Sequence, residues 1–270
     1  MVTRGQQGPP AGHDGAVATG YENPALARAY HAGNEMPQIS LKAWTELVGH
    51  YVPARPADVL DLGAGTGMFT VAMARWLPVE RVTGIDPSTA MLAQARRRST
   101  GAPVHYVAGT AEAIPTRENV FDLVLLSRVV HHLPDRRRCA AELVRVLRNR
   151  GSVVVRTTFS DRLDGLVYDY WPTLRAHDRH RFPRRDKLLA DFASAGLSAR
   201  EMTSFAQPVT SSLAEYHRRM TSRPQSKFVS LTDEEFRSGL ARLAADVETE
   251  RTTQPRPVSE RYDVAVFQTG

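Results

Sequence analysis

The stretch that decides the fold runs from Val59 to Thr70 and reads Val-Leu-Asp-Leu-Gly-Ala-Gly-Thr-Gly-Met-Phe-Thr. Its first residues are mostly apolar and predict a short buried strand. Gly63, Gly65 and Gly67 follow at alternating positions, which allows a sharp turn and lets a ligand lie against bare main chain. Apolar residues then recur at helical spacing. The sequence therefore predicts a strand, a turn and a helix whose unpaired N–H groups face a ligand.

Two acidic residues narrow the class of ligand. Asp61 precedes the glycines, so the pattern is Asp-x-Gly-x-Gly-x-Gly and not the Gly-x-Gly-x-x-Gly of dinucleotide sites. The Gly-Lys-Ser/Thr sequence of a P-loop is also missing from this turn. The next strand-like run, 81–85, ends at Asp86. Asp86 lies at about the 20-residue spacing at which a carboxylate meets a ribose diol in such folds.

On these residues the chain resembles the class I S-adenosylmethionine-dependent methyltransferases, in their small-molecule branch. The resemblance has good motif density from Val59 to Phe159 and continues more loosely to the C-terminus. It implies an α/β fold with a Rossmann-like seven-stranded, mostly parallel sheet flanked by helices. It also implies a helical N-terminal lid and helical inserts after strands 5 and 6.

The resemblance further implies which residues hold S-adenosylmethionine. The glycine turn would hold the methionine part of the cofactor and Asp86 its ribose hydroxyls. Asp61 would orient the cofactor's ammonium, directly or through water. The segment 110–112 would flank the adenine. The predicted cofactor-binding residues are Asp61, Gly63, Ala64, Gly65, Gly67, Asp86, Pro87, Met91, Thr110, Ala111, Glu112, Ser127, Tyr21 and Tyr30.

Three of these assignments have open alternatives. Tyr21 and Tyr30 either pack the lid against the sheet or interact with the cofactor, for example with a ring facing its sulfonium. Ring faces attract cations by about 0.5–2 kcal/mol. For the neighbouring His31 we favour packing. Thr110 stands where the family usually has an acid, and its hydroxyl would accept a hydrogen bond from the adenine amino group more weakly than a carboxylate would.

The predicted catalytic residues follow the fourth strand, 121–127. Ligands of an open parallel sheet bind outside the carboxyl ends of the strands, which places Arg128, His131 and His132 near the transferred methyl group. Either histidine is suited to take a proton from a phenol, amine or enol. A packing or capping role is the alternative. Arg128 would share one face of a helix turn with His132 and stabilise a phenolate or enolate, unless it pairs with a surface acid.

Three residues beyond this point are predicted to contact the substrate. Arg156 alternates with core residues on the fifth strand and is expected to point into the pocket. Tyr168 and Trp171 belong to an inserted helical segment, 163–180, and suit the walls of a site for a flat or apolar acceptor. Ordinary packing of the insert is an equal alternative for both aromatic residues.

The composition excludes several other classes of site. The chain has 270 residues, which suits one domain with a substantial core. No run of about 18 apolar residues predicts a transmembrane helix, and the N-terminus does not look like a secretory signal. Cys139 is the only cysteine, so no internal disulfide or cysteine metal cluster is expected, and the histidines do not form a ligand set. We therefore predict a cytoplasmic protein without a metal or a membrane partner.

The net charge of +6 raises the question of nucleic acid as a partner. The arginines are scattered along the sequence, and the clusters 96–98 and 136–138 are expected on solvated helix faces. The Asn-Pro-Pro-aromatic motif of base-methylating relatives is also missing from the end of the fourth strand. We therefore predict a small-molecule substrate and no nucleic-acid partner. Homo-oligomerisation stays open.

The chain is predicted to divide into an arm, 1–20, and one methyltransferase domain, 21–270. Within the domain, 21–52 is the helical lid, 53–160 the cofactor-binding core, and 161–270 the substrate-side inserts and last strands. The seventh strand, Tyr262 to Gln268, is predicted to be the antiparallel edge strand.

The predicted function is transfer of a methyl group to a small molecule. GC-rich composition and aromatic inserts point towards natural-product (secondary-metabolite) chemistry such as antibiotic biosynthesis. Such transfer depends mostly on holding the reactants in line, which can be worth about 7–11 kcal/mol. The alternatives are an RNA or protein methyltransferase, a cofactor-binding protein or cyclase that transfers no methyl group, and, more weakly, a nicotinamide dehydrogenase.

Overall fold

The computed structural model describes residues 36–223, 226–250 and 254–270. The predicted arm, together with Tyr21, Tyr30 and His31, lies outside the described residues. The lid is described only from Met36 onward.

One seven-stranded sheet forms the centre of the molecule. Its strands are β1 (Ala57–Leu62), β2 (Val79–Asp86), β3 (Val104–Ala108), β4 (Phe121–Ser127), β5 (Leu147–Thr157), β6 (Ser198–Thr210) and β7 (Val258–Gln268). The order is β3-β2-β1-β4-β5-β7-β6, with β7 antiparallel to both of its neighbours and the other pairs parallel. The predicted Rossmann-like, mostly parallel sheet is confirmed.

The prediction that the seventh strand forms the edge of the sheet is wrong. The outer strand is β6, and β7 lies between β5 and β6. The pairing of β6 with β7 runs from Ser198 to Thr210. Pro208 falls within this pairing, which an outer strand tolerates because its free edge needs no N–H donor.

Helices cover the sheet and form the inserts. They are α1 (Gln38–Gly49), α2 (Met68–Trp76), α3 (Thr89–Arg98), α4 (Arg136–Val146), α5 (Val167–Tyr170), α6 (Thr173–Arg181), α7 (Arg185–Ala193), α8 (Leu213–Met220) and α9 (Asp233–Glu250), with a 3₁₀ helix at Ser226–Ser230. The inserted segment predicted over 163–180 is two short helices. Pro172 separates them, because a proline disfavours helical geometry at the residue before it, here Trp171 with φ −127° and ψ 73°.

Three large apolar clusters among the described residues hold most of the elements together. Two of them fill the opposite faces of the sheet, whose inner strands β1 and β4 are buried on both sides. The third cluster joins α5, α6, α8, α9 and the 3₁₀ helix around Trp171, Tyr216 and Phe228. The inserts therefore have a core of their own beside the sheet. None of the described helices combines the length and apolar character needed to cross a bilayer.

The strand order reverses between β1 and β4. The chain moves outward from β1 to β2 and β3, then returns to the other side of β1. A crevice opens at such a point beyond the carboxyl ends of the strands. In this fold those carboxyl ends are Leu62 of β1, Ser127 of β4 and Thr157 of β5. The residues that follow them are therefore candidates for a ligand-binding site.

Candidate functional site

A large cleft lies at the carboxyl ends of β1, β4 and β5, with an empty volume of about 1560 Å³ that includes its solvent-filled mouth. Nine of the predicted site residues line it: Asp61, Gly63, Ala64, Gly65, Ser127, Arg128, His131, Arg156 and Tyr168. The structure thus brings the two ends of the predicted site, the glycine turn and the residues after β4, to one cavity. The predicted residues that do not line it are Gly67, Asp86, Pro87, Met91, Thr110, Ala111, Glu112, His132 and Trp171.

The three glycines of the turn are needed for two different reasons. All three residues have left-handed backbones, with φ of +77°, +54° and +77° at Gly63, Gly65 and Gly67. A Cβ at Gly63 would lie 2.4 Å from Cγ2 of Val129, and one at Gly67 would lie 2.4 Å from Oη of Tyr106. A Cβ at Gly65 would meet nothing within 4 Å. The missing side chain of Gly65 therefore leaves open space on the side of the cleft. Gly63 and Gly67 are needed because a side chain at either position would collide with the protein itself.

Alanine substitutions at Gly65 and Gly67 are expected to separate ligand binding from stability. Gly65→Ala adds only the backbone strain of a left-handed alanine, about 1–2 kcal/mol, yet its methyl group enters the cleft. Gly67→Ala adds the same strain and a collision with Tyr106 and Ala95. We expect the melting temperature to fall further for Gly67→Ala, and adenosylhomocysteine affinity measured by calorimetry to fall at least tenfold for Gly65→Ala. Equal losses of stability in the two variants would contradict this account.

Asp61 is a buried carboxylate at the floor of the cleft. Its side chain is held by the Thr70 hydroxyl, which donates to Oδ2 at 2.6 Å, and the residue is only 2% exposed. Burial raises the pKa of Asp61 to about 7, with a further increase from Asp86 and an opposing effect from Thr70. Within the described residues Asp61 has no ion pair. A cationic group in the cleft would therefore stabilise its ionised form.

Asp86, at the end of β2, holds the glycine turn through a hydrogen bond. Its Oδ2 accepts a hydrogen bond from the Gly65 N–H at 2.8 Å, and its Oδ1 accepts one from the Ser88 N–H at 2.9 Å. Each carboxylate oxygen has lone pairs for a second donor. The Gly109 N–H donates to the Asp86 carbonyl at 3.2 Å, which brings the segment 110–112 beside the end of β2.

The remaining residues of the predicted adenine side are mostly engaged in packing. Met91 is 3% exposed and Ala111 is 8% exposed. Thr110 forms an isolated bridge with Ala113, and the Glu112 carbonyl accepts a hydrogen bond from Arg138 at 2.9 Å. Their role in binding adenine stays a prediction.

The segment after β4 is a turn, so the prediction that Arg128 and His132 share a helix face is wrong. Arg128 has a left-handed backbone with φ +62°, and its N–H donates to the Arg156 carbonyl at 2.8 Å. A hydrogen bond from the His132 N–H to the Val129 carbonyl at 2.7 Å closes the turn. Arg128 and His131 line the cleft, whereas His132 is exposed. A left-handed arginine at a ligand-facing turn is the kind of backbone strain found at functional sites.

The surroundings of His131 favour its uncharged form. Burial lowers its pKa well below the ordinary value, and the charges of His132, Arg181, Arg128 and Lys227 lower it further. Its ring centroid lies 4.0 Å from that of His132 and 4.7 Å from that of Phe182. Its buried Nδ1 has no hydrogen-bond partner in the described part of the chain. Although much of the His132 side chain is exposed, desolvation of the part packed against the protein lowers its pKa to about 4, with help from Arg181 and Arg128.

Arg156 is the centre of a polar network that the sequence did not reveal. Its guanidinium lies 3.8 Å from the ring centroid of Tyr262 and 4.7 Å from that of Trp44. It donates to Gln207 Oε1 at 3.0 Å, the same atom that accepts from Trp44 Nε1 at 3.0 Å. A further bond reaches Ser127 Oγ at 3.2 Å. The network is invisible in the sequence because its members come from α1, β4, β5, β6 and β7.

The two predicted aromatic residues of the insert, Tyr168 and Trp171, have different surroundings in the structure. Tyr168 lines the cleft, and its hydroxyl donates to Asp178 Oδ2 at 2.7 Å. Trp171 is 1% exposed, donates from Nε1 to the Phe236 carbonyl at 3.1 Å, and packs against Phe228. The packing alternative therefore describes Trp171, and Tyr168 stays a candidate wall of the substrate site.

Comparison with known proteins assigns the family. A model of the methyltransferase domain matches residues 60–155. The ubiquinone/menaquinone biosynthesis C-methyltransferase UbiE of Vibrio campbellii is 30% identical over 180 residues, which cover 63% of this chain and 67% of that protein. The chain belongs to the class I S-adenosylmethionine-dependent methyltransferases. The predicted family is thus confirmed.

Other similar proteins extend this picture. The malonyl-[acyl-carrier protein] O-methyltransferase of Geobacter sulfurreducens is 32% identical, over 54% of this chain and 58% of that protein. A structure described as a methyltransferase from an antibiotic biosynthesis pathway of Anabaena variabilis shares the fold, with a TM-score of 0.69 and 23% identity over 87% of this chain and 98% of that chain. For three curated relatives, the match covers only 47%, 62% and 58% of their own lengths.

Proposed function

We propose that the chain is an enzyme that transfers a methyl group from S-adenosylmethionine to a small-molecule acceptor. The observation that carries the proposal is the shared cleft, in which the glycine turn and the buried Asp61 face Arg128, His131 and Tyr168. The first set of residues suits a cationic cofactor, and the second suits an acceptor with polar groups. Both sets meet where the strand order reverses, which is where ligands of this fold class bind.

The residues present fit the cofactor. Asp61 offers a buried anion with no ion pair among the described residues, which suits the cofactor's ammonium. Gly65 leaves open space against bare main chain, which suits the methionine part. Asp86 is the carboxylate that we assign to the ribose hydroxyls, because it holds the Gly65 N–H at the end of β2, and the segment 110–112 lies beside it for the adenine. When bound, the cofactor supplies an activated methyl group, so the protein's main task is to position the acceptor.

The substrate side of the cleft performs that positioning. Arg156 is fixed by its stacking and hydrogen bonds, so its place relative to Ser127 is rigid. Tyr168 forms part of the wall and is oriented by Asp178. His131 is an uncharged imidazole and is the base we assign to an acceptor that must lose a proton. Exposed His132 lies off the cleft and is a weaker candidate.

We also propose the biological setting and the division of the chain. Similarity to quinone and malonyl-carrier methyltransferases, and to a fold relative from an antibiotic pathway, supports a small metabolite as acceptor, with secondary metabolism as the setting. We propose a cytoplasmic location. Residues 53–160 would bind the cofactor, and 161–270 would form the acceptor side.

Calorimetry with S-adenosylhomocysteine tests the proposal. We expect saturable binding to the full chain and at least about a tenfold loss in Asp86→Ala, which removes a ribose ligand and the brace on Gly65. Incubation with methyl-labelled cofactor and a panel of acceptors then tests transfer. Binding without transfer to any acceptor would favour a cyclase or a binding protein, and label in RNA or protein would favour the macromolecular alternatives. If neither cofactor form binds, the proposal fails.

A further inference from the structure

Gln207 is a nearly buried polar residue in the wall of the cleft. It belongs to the outer strand β6, is 6% exposed, and lines the cleft. Its Oε1 accepts two hydrogen bonds, one from Trp44 Nε1 at 3.0 Å and one from Arg156 Nη2 at 3.0 Å. Two donors fill both lone pairs of a carbonyl oxygen. The Gln207 oxygen therefore has no capacity left to accept a hydrogen bond from a ligand.

The same two bonds determine which way the Gln207 amide faces. Exchanging its oxygen and nitrogen would set an NH2 group against the Trp44 indole and the Arg156 guanidinium, and neither of these can accept a hydrogen bond. The amide nitrogen therefore lies on the side away from both donors. The N–H groups of Nε2 donate to no residue in the described part of the chain. Such donors in a largely buried side chain are unfavourable unless a ligand or water accepts from them.

Arg156 holds the Gln207 amide in a fixed place. The guanidinium lies over the ring of Tyr262, 3.8 Å from its centroid, and the residue is only 3% exposed. Its second terminal nitrogen, Nη1, donates to Ser127 Oγ at 3.2 Å. The amide is thus anchored to β5 through Arg156 and to α1 through Trp44. Because these anchors exist before any ligand arrives, binding does not have to order the donors.

The place of Gln207 in the sheet assigns its donors to the acceptor side of the cleft. Strand β6 is four strands away from β1, which carries Asp61 and leads into the glycine turn. Neighbouring strands are about 4.8 Å apart, so β6 and β1 are separated by roughly 19 Å. Val209 lies on the same face of β6, two positions further along, and also lines the cleft. A polar atom on an apolar body fits this combination.

The neighbour of Gln207 on β7 limits the charge of the ligand. Glu260 stands directly opposite Gln207 in the pairing of β6 with β7, and opposite side chains of an antiparallel pair share one face. The Glu260 carboxylate accepts from the Tyr262 hydroxyl at 2.6 Å, and not from the amide. A carboxylate at this distance disfavours a second anion beside it. The Gln207 donors therefore suit an uncharged oxygen.

From this arrangement we infer that Gln207 binds the acceptor and that the acceptor presents an uncharged carbonyl oxygen to its N–H groups. The oxygen of a ketone, ester or amide accepts hydrogen bonds and donates none, as a site with donors alone requires. A ligand N–H group at the same place would set donor against donor and leave both unpaired. That the ligand is a methyl acceptor rests on the proposed function, whereas donation by Gln207 to a bound carbonyl group does not.

Two probes that are uncharged at neutral pH test the inference. Acetophenone presents a carbonyl oxygen, and aniline presents an NH2 group. Each is titrated into the full chain and followed by NMR, with and without saturating S-adenosylhomocysteine. We expect saturable binding of acetophenone, at least about fivefold tighter than that of aniline. Equal affinity for the two probes, or no saturable binding of acetophenone, overturns the inference.

The Gln207 side chain gives a direct readout of the bond. Its NH2 resonances, assigned by their loss in Gln207→Glu, should shift as acetophenone saturates the wild-type chain. Resonances that stay in place at saturation would show that the carbonyl group binds elsewhere, which also overturns the inference.

Gln207→Glu exchanges the donors for an acceptor and keeps the shape of the side chain. Its carboxylate still accepts from Trp44 and Arg156, so the fold is expected to be retained. The ratio of acetophenone to aniline affinity should fall at least about tenfold. An unchanged ratio contradicts the assignment. The matched control is Gln268→Glu, because the Gln268 amide donates to the Arg150 carbonyl at 3.0 Å and lies outside the cleft. This control should leave both affinities unchanged.

The affinity for S-adenosylhomocysteine separates the inference from the proposed function. With Gln207 on the acceptor side, Gln207→Glu should change this affinity by less than about threefold. A loss of about tenfold or more would show that the amide contacts the cofactor's carboxylate, and would overturn the assignment to the acceptor. If the wild-type chain binds acetophenone at Gln207 but neither form of the cofactor, the proposed function fails and the carbonyl site stands.

Discussion

Asp61→Asn is expected to weaken S-adenosylhomocysteine binding by about 100-fold while making the ligand-free protein more stable above pH 7. The variant keeps the shape of the side chain and an oxygen for the Thr70 hydroxyl, but it removes the charge that we assign to the cofactor's ammonium. Binding falls because the ammonium loses a buried charged partner. Stability rises because an unfilled site holds an anion that water would solvate better.

The pH dependence gives this prediction a definite sign. The pKa of Asp61 is raised from 3.8 to about 7 in the folded chain, so the folded state binds more protons than the unfolded state between those values. Stability contributed by this group is therefore full below about pH 4, falls as pH rises towards 7, and is then constant. The whole difference is about 4 kcal/mol. Urea denaturation from pH 5 to pH 8 should show this fall in the wild type and lack it in Asp61→Asn.

Affinity for adenosylhomocysteine should show the complementary trend. Binding of the ammonium needs the ionised form of Asp61, so the affinity of the wild type falls as pH drops below about 7, by up to tenfold per pH unit. The matched control is Asp122→Asn. This carboxylate is 5% exposed at the opposite end of the sheet and pairs with Arg148 at 2.5 Å. It should lose stability at neutral pH and keep its affinity. Unchanged affinity in Asp61→Asn would contradict the ammonium assignment.

The second large effect is expected from Gly239→Ala, which should destabilise the chain by about 3 kcal/mol. Gly239 lies inside the long helix α9, where alanine would ordinarily stabilise by about 1 kcal/mol. Here the added Cβ would lie 2.1 Å from Nε1 of Trp171. The indole has no room to retreat, because it is packed against Phe228 and Phe236 and hydrogen-bonded to the Phe236 carbonyl.

Urea denaturation of Gly239→Ala measures this effect. Ser238→Ala is the control, because Ser238 is the exposed neighbour in the same helix and should change stability by less than about 0.5 kcal/mol. Combining Gly239→Ala with Trp171→Phe should cost less than the sum of the two single changes, since the smaller ring makes room for the methyl group. A gain of stability in Gly239→Ala would show that α9 does not approach Trp171 as described.

Much of the fold followed from local patterns. The predicted bounds of β4, 121–127, match the structure, and the glycine turn lies between β1 and α2 as expected. These features depend on backbone preferences and on the burial of one short segment, which neighbouring residues determine. The pairing of strands that are distant in the sequence was harder to predict. The last strand, β7, was predicted at the edge of the sheet but lies inside it.

The sequence by itself predicted the residues that we propose for the cofactor side of the cleft, because the alternating glycines, Asp61 and Asp86 stand at the ends of two consecutive strands. Only the tertiary structure decided the acceptor side. Arg181 and Lys227 are far from His131 in the sequence, and packing of the inserts on the sheet brings them to the cleft that His131 lines. Likewise, Trp171 belongs to the core because α9 and the 3₁₀ helix pack around it. The reason is that such contacts join residues about fifty or more positions apart, and no local periodicity records which distant segment a side chain will meet.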